Sequence, residues 1–244
     1  MSKNKTILII GAKSDIAIAV AHKFASEGYN LQLAARNSSE LNSTVNDLKI
    51  RYEISISTYE LDILKYENFT DFINSLECLP DIALCAVGIL GDQTDDEKSL
   101  SNSVLVMRTN YEGPSLILGE IANRFETRGS GSIIGISSVA GDRGRASNYI
   151  YGSAKSGFTA FLSGLRNRIN KSGVNVLIVS PGFVYTSMTK NLDLPNLLTA
   201  QPSEIASKIF NSKKKNSVMR PFPWNLIMLT IRLIPEQLFI RIKL

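Results

Sequence analysis

Histidine is nearly missing from this sequence: His22 is the only one in 244 residues, and it falls on a helical pattern. Histidine-based triads and metal sites of the usual kind are therefore nearly excluded, and His22 reads as structural or surface. Cysteine is scarce as well. Cys78 and Cys85 make neither a disulfide framework nor a metal spacing, which fits a reducing cytosol. A membrane-spanning run is lacking: in the C-terminal stretch the longest uncharged run, Pro221 to Ile231, has eleven residues, against the roughly 20 that span a bilayer. The start, MSKNKTILIIGA, has one short apolar run followed by turn residues, and reads as a buried strand rather than a signal peptide. A broad basic face is also absent. From Lys213 onward seven basic residues stand against one acid, Glu236, while the preceding 212 residues carry 20 basic and 21 acidic side chains. The excess therefore belongs to the tail, and no nucleic-acid partner is expected.

What is present is the composition of one sizeable globular domain, with 44% hydrophobic and 20% charged residues. Apolar segments alternate with helical patterns along the chain. TILIIGA (6–12), NLQLAAR (30–36), SISTYELDI (55–63), DIALCAVG (81–88), GSIIGISS (131–138) and VNVLIVSPG (174–182) read as strands, with SVMRP (217–221) as a short last one. Between the first two, Ile16, Ala19, Val20 and Phe24 recur at helical spacing. Strands buried on both faces and alternating with helices predict an α/β fold, a Rossmann-type, doubly wound parallel sheet. The expected organisation is a single domain over 1–221, followed by an amphipathic tail over 222–244.

The first strand runs into GAKSDIA, where a dinucleotide-binding fold carries a glycine-rich turn that opens a helix. Gly11, Ser14, Asp15 and Ile16 are the candidate phosphate contacts. Only the first glycine of the usual pattern is present. Ala17 is small enough for close helix–strand packing, whereas Asp15 puts a carboxylate where a diphosphate would lie and is tolerable only if it points away. Arg36, just after the second strand, suits a 2′-phosphate, where an acid would accept from a ribose hydroxyl. The alternative is a solvated arginine at a strand end. With Gly11 and the strand–helix–strand setting, NADP (NADPH) is the expected cofactor.

Further along, GSIIGISSVAG is followed by YGSAK, so that Ser138 precedes Tyr151 by thirteen residues and Lys155 follows it by four, one helical turn. Beside a tyrosine whose free pKa is about 10, an ammonium is expected to stabilise the phenolate and lower that value. Tyr151 then serves as general acid for ketone reduction and base for alcohol oxidation, with Ser138 as second donor to the carbonyl oxygen. Over residues 6–221 the chain resembles the short-chain dehydrogenase/reductase family. Asn110 in TNYEG, Asp62 with Ile63 in LDI, and PGFVYT (181–186) match further landmarks in order. The resemblance implies Asn110, Ser138, Tyr151 and Lys155 as catalytic residues, with Lys155 also on the nicotinamide ribose and Asn110 holding a relay water. It implies Asp62 and Ile63 near the adenine, Ala86 and Gly88 along the cofactor, and Pro181, Gly182, Val184 and Thr186 closing over the nicotinamide. The usual Asn-Asn-Ala-Gly is replaced by Cys85-Ala86-Val87-Gly88.

Residues 187–203 fall where the family has a mobile substrate lid, and Met188, Leu192, Leu194, Leu197 and Leu198 make it apolar. In the tail, Pro223 and Pro235 bracket a short helix on which Trp224, Ile227, Met228, Ile231 and Ile234 form one stripe. With Arg220, Arg232, Arg241 and Lys243 interspersed, this composition suits either the headgroup region of an anionic membrane or packing against the enzyme itself or a second subunit. GAKSDIA, AVGILGDQ (86–93) and the ending are similar to a subgroup, the reductase subunits of decaprenylphosphoryl-ribose 2-epimerase. That likeness implies a lipid-linked 2-keto pentose as substrate, a flavin-dependent oxidase as partner, and a cytoplasmic enzyme held peripherally at the inner membrane face. The expected state is a homo-oligomer, a dimer or tetramer. A second reading is reduction of another lipid-borne ketone, of β-ketoacyl or ketosphinganine type. A third, from a different class, is a non-catalytic NADP-binding sensor or scaffold.

Overall fold

The structure, a computed structural model, describes residues 4–242. Strand β1 (Thr6–Ile10) shows why its segment is apolar without alternation. Ile7 and Ile9 point into a core on one side of the sheet, Leu8 and Ile10 into a second core on the other, and all four are sealed from solvent. A strand covered on both faces must be apolar at every position. The chain continues through α1 (Asp15–Ser26), β2 (Asn30–Ala35), α2 (Asn42–Arg51), β3 (Ile56–Glu60), α3 (Phe69–Asn74) and β4 (Ile82–Cys85). Next come α4 (Gln93–Asp96), α5 (Leu100–Met107), α6 (Gly113–Arg128), β5 (Gly131–Ile136), α7 (Tyr149–Arg168) and β6 (Val174–Val179). The last elements are β7 (Phe183–Val184), β8 (Thr199–Ala200), α8 (Pro202–Ser212), β9 (Ser217–Met219), α9 (Trp224–Leu233) and α10 (Glu236–Phe239).

All seven segments expected as strands enter one parallel sheet in the order β3-β2-β1-β4-β5-β6-β9. Ala17, Val20 and Phe24 of α1, Leu48 of α2 and Ile205 and Ile209 of α8 fill the core on one face. Phe24 meets Phe210 edge-on at 5.1 Å, which ties the first helix to α8. Phe72 of α3, Ile117 and Phe125 of α6, and Phe158 and Leu162 of α7 fill the other. Strand order reverses between β1 and β4, and the crevice at their C-terminal ends is where such a sheet takes a ligand.

One feature lies outside the sequence-based expectation, and a second matches one of the alternatives it left open. Residues 183–184 and 199–200 pair as a separate two-stranded ribbon, Phe183 with Thr199 and Val184 with Ala200. The ribbon fastens both ends of the expected lid. The tail, in turn, packs on the enzyme: Trp224 and Met228 are buried with Val139, and Ile227 and Ile231 close over them together with Phe183 and Leu198. Ile234, the last member of the expected stripe, is half-buried. Arg220 does not reach solvent freely, because Nε and Nη2 bind both carboxylate oxygens of Asp142 at 2.8 and 2.7 Å. Lys243 lies outside the described residues.

Candidate active site

Gly11 ends β1 in a left-handed conformation (φ 81°), and a Cβ there would stand 2.8 Å from the Val87 amide nitrogen. Only glycine lets the β1 turn pass so close to the end of β4. Ser14 caps α1, its hydroxyl accepting the Ala17 N–H at 3.2 Å. The first-turn amides of Asp15 and Ile16 have no intrahelical acceptors, so together with the helix dipole they make an anion site. Asp15 resolves its own difficulty. Its carboxylate accepts from both the N–H and the hydroxyl of Ser187, each at 2.8 Å, and so it is tied to the lid.

Arg36 is exposed at the end of β2 and borders the same crevice, while the neighbouring Lys13 is engaged with Glu40 at 2.7 Å. Asp62 is fixed by the Leu64 N–H, which donates to its Oδ1 at 3.0 Å, and Ile63, Ala86 and Gly88 line the walls beside it. The orphaned amides, the close glycine turn and the cation at the strand end fit a dinucleotide with an added phosphate.

At the other end of the crevice, α7 presents Tyr151 and Lys155 while the turn after β5 presents Ser138. Ser137, next to it, explains the alignment. Its hydroxyl donates to the Lys155 carbonyl at 3.0 Å and meets Thr159 Oγ1 at 2.6 Å, pinning α7 to the end of β5. Lys155 is 3% exposed, and its ammonium donates to the carbonyls of Ile136 at 3.1 Å and Val87 at 3.5 Å. Burial depresses its pKa to about 8. Burial pushes the Tyr151 phenol up to about 12, with the Ser138 hydroxyl pulling the other way.

The expected net lowering of the tyrosine pKa is therefore corrected: burial outweighs what the ammonium contributes. The ammonium sits 5.8 Å from the Tyr151 ring centre and is spent on backbone carbonyls, so desolvation wins. The protonated phenol is a persistent proton donor. Asn110 holds the backbone around it. It sits in a widened turn (Arg108–Glu112) between α5 and α6, outside the crevice wall, and donates to the carbonyls of Ile89 and Val106 at 2.7 and 2.8 Å. With the Ile89 N–H donating back at 3.3 Å, its amide pins the segment after β4.

The other residues expected at the site, Pro181, Gly182, Val184 and Thr186 included, all border one cavity of about 1030 Å³. Trp224 of the tail joins them there. Its indole lies flat over Gly182, where any side chain would collide with it. Its ring N–H donates to the Leu198 carbonyl at 2.9 Å, and Phe183 meets it edge-on at 5.1 Å. Pattern reading missed Arg143. It donates to the carbonyls of Ile231 and Ile234, both at 2.6 Å, and pairs with Glu236 at 2.7 Å, clamping the end of α9. Met188, Leu192 and Leu194 bring the lid to the same cavity, whereas Leu197 is almost wholly exposed.

A doubly wound sheet with an anion-binding helix end, and a Tyr–Lys pair facing a serine across its crevice, defines a nicotinamide-dependent oxidoreductase. The family model described as short chain dehydrogenase matches residues 5–196. An uncharacterized oxidoreductase of Mycobacterium tuberculosis is 34% identical over 235 residues, covering 94% of each chain. Another uncharacterized oxidoreductase, from Streptomyces coelicolor, is 32% identical over 246 residues, covering 98% of this chain and 96% of that one. Among solved structures, a short-chain dehydrogenase from Sphingobium yanoikuyae in complex with NADPH superposes with a TM-score of 0.79 at 20% identity, covering 95% of this chain and 97% of that one. The chain belongs to the short-chain dehydrogenase/reductase family.

Proposed function

We propose that this enzyme reduces a ketone on a lipid-borne substrate, with NADPH as the hydride donor. The observation that carries the reading is the shared cavity, bordered both by Ser138, Tyr151 and Lys155 and by the apolar side chains of Trp224, Met188 and Leu192. When bound, NADPH supplies the hydride. Tyr151 gives its proton to the carbonyl oxygen as that oxygen becomes an alkoxide, and Ser138 steadies the same oxygen with a second hydrogen bond. The charged Lys155 offsets negative charge left on the phenolate until a solvent proton replaces the one given up. Ketone, NADPH and one proton become secondary alcohol and NADP⁺. Arg36 supports NADPH over NADH through its position at the end of β2, where a 2′-phosphate would meet it.

The finer reading is a 2-keto pentose joined through phosphate to a polyprenyl chain, used in cell-envelope polysaccharide synthesis and made by a separate flavin-dependent oxidase. The tail supports a lipid-borne substrate at a membrane surface. While one side of α9 packs on the enzyme, Phe222, Leu226, Leu229, Leu233 and Ile240 remain exposed, with Arg232 and Arg241 exposed among them. No helix among the described residues is long and apolar enough to cross a membrane. NADPH and NADH oxidation should be followed in parallel with the prenyl-phosphoryl keto sugar, a β-ketoacyl thioester and 3-ketosphinganine. Fastest turnover of the first supports the sugar reading, and indifference to it in favour of another ketone removes that reading. No turnover of any ketone, with NADPH still bound, would favour the sensor alternative.

A further inference from the structure

Arg145 lies in the turn between Ser138 and α7, borders the cavity, and is only half exposed. Its Nε is shut off from solvent and has no hydrogen-bond partner. Its one protein contact of note is a long bond from Nη2 to the carbonyl of Val139, at 3.4 Å, which places the guanidinium beside the residue that follows Ser138. The carboxylate that would ordinarily neutralise it, Asp142, is already gripped by Arg220 through both oxygens. No ion pair to Arg145 occurs among the described residues. Burial accordingly pushes its pKa down, with Asp142 compensating only in part.

A second orphan accompanies it. Asn148, three residues on, is another residue of the cavity lining, and its Oδ1 is sealed from solvent without a donor. A half-buried cation with no anion is costly, because desolvation is not repaid by a partner. A guanidinium left without an anion at a cavity wall is the complement of a ligand that carries an oxyanion. It does not serve the cofactor phosphates, whose site is the end of α1 and Arg36, at the other end of the crevice.

We propose that Arg145 receives an oxyanion carried by the substrate, a phosphate ester or a carboxylate, and thereby orients the ketone toward Tyr151. This deepens the ketoreductase reading and rests on it for the identity of the bound molecule as substrate. The guanidinium fork suits either oxyanion by paired hydrogen bonds.

Trp224 provides a test that needs no turnover, because it is the one tryptophan in the chain and lines the same cavity. The full-length protein is titrated with geranyl phosphate, geranic acid, geraniol and inorganic phosphate while tryptophan emission is followed. Wild type should bind the phosphate or the acid at least about tenfold more tightly than geraniol. Whichever of the two binds tighter names the oxyanion, and inorganic phosphate matching geranyl phosphate would assign the site to the free ion rather than to a substrate and overturn the proposal. Arg145→Gln should close the gap between charged and neutral ligands, and Arg145→Lys should keep part of it. Equal binding of geraniol in wild type, or a gap that persists in Arg145→Gln, overturns the proposal. Thermal melting of both variants separates a role in ligand binding from one in holding the turn: a gap lost only in proportion to lost fold overturns it. If the gap behaves as expected but no ketone is reduced, the anion site stands and the reductase reading fails. If ketones are reduced without any such gap, the Arg145 assignment fails alone.

Discussion

At the phosphate-binding end of the cleft the backbone forms the cradle: Gly11 turns with a left-handed φ, Ser14 caps α1, and the free amides of the first helical turn face the crevice. At the substrate end, side chains from distant segments do it instead. Trp224 comes from the tail, Leu198 from the lid and Val139 from the turn after β5, while Arg143 reaches 88 residues forward to the Ile231 carbonyl. The first end is a local device that tolerates sequence drift as long as one turn keeps its shape. The second is an assembly whose parts are useful only together, so a change in any one reshapes what the cavity accepts. The contrast fits a family in which one cofactor serves many ketones.

The largest effect expected is on chemistry. Tyr151→Phe should cut ketone reduction by about 10²–10⁴-fold while cofactor binding measured by fluorescence transfer to NADPH is kept; residual turnover within tenfold of wild type would remove Tyr151 as the proton donor. Trp224→Ala strikes the substrate end alone. It should cost up to about 3–5 kcal/mol in chemical denaturation and raise KM for the ketone, yet leave the Kd for NADPH near wild type. Loss of both affinities together would dissolve the distinction between the two ends.

Arg143→Ala should be milder, about 1.5–3 kcal/mol, since two partly buried carbonyls lose a charged donor while its ion pair with the 72%-exposed Glu236 adds little. Limited proteolysis should then cut first after residue 222. The pH dependence follows from Lys155. Burial lowers its pKa to about 8, so the useful charge is present below that value and is lost as pH rises through it. Tyr151, raised to about 12, stays protonated throughout. The kcat/KM for reduction should therefore hold level on the acid side and fall above about pH 8, and a limb that survives unchanged in Lys155→Met would assign it elsewhere. Smallest is Arg36→Ala. As an exposed cation it should shift the NADPH-over-NADH preference by about fivefold, and no shift would place the 2′-phosphate elsewhere.

The parallel sheet was legible because its central strands, such as β1, β4 and β6, are covered on both faces and so read as apolar runs, while the edge strand β3 is partly exposed and mixed in sequence. Ser138, Tyr151 and Lys155 were legible because a strand end and one helical turn set their spacing. What stayed hidden depends on contacts across long stretches of chain. Nothing near position 143 announces that its guanidinium will cap α9, and a stripe of Trp224, Ile227, Met228 and Ile231 looks the same whether it meets lipid or protein. The phenol pKa was misjudged for a related reason: how deeply Tyr151 is buried, and which carbonyls engage Lys155, are properties of the packed interior.

The small ribbon of β7 and β8 bears on how such an enzyme could diversify. By joining Phe183 to Thr199 and Val184 to Ala200 it makes residues 185–198 a closed loop of fourteen, hung from the sheet rather than threaded through it. Doubling the length of such a loop costs only about 0.6 kcal/mol in closure entropy. Insertions and deletions there are thus nearly invisible to folding while they rebuild the mouth of the cavity, and a lineage can explore new ketones by changing loop length before it changes a single catalytic residue.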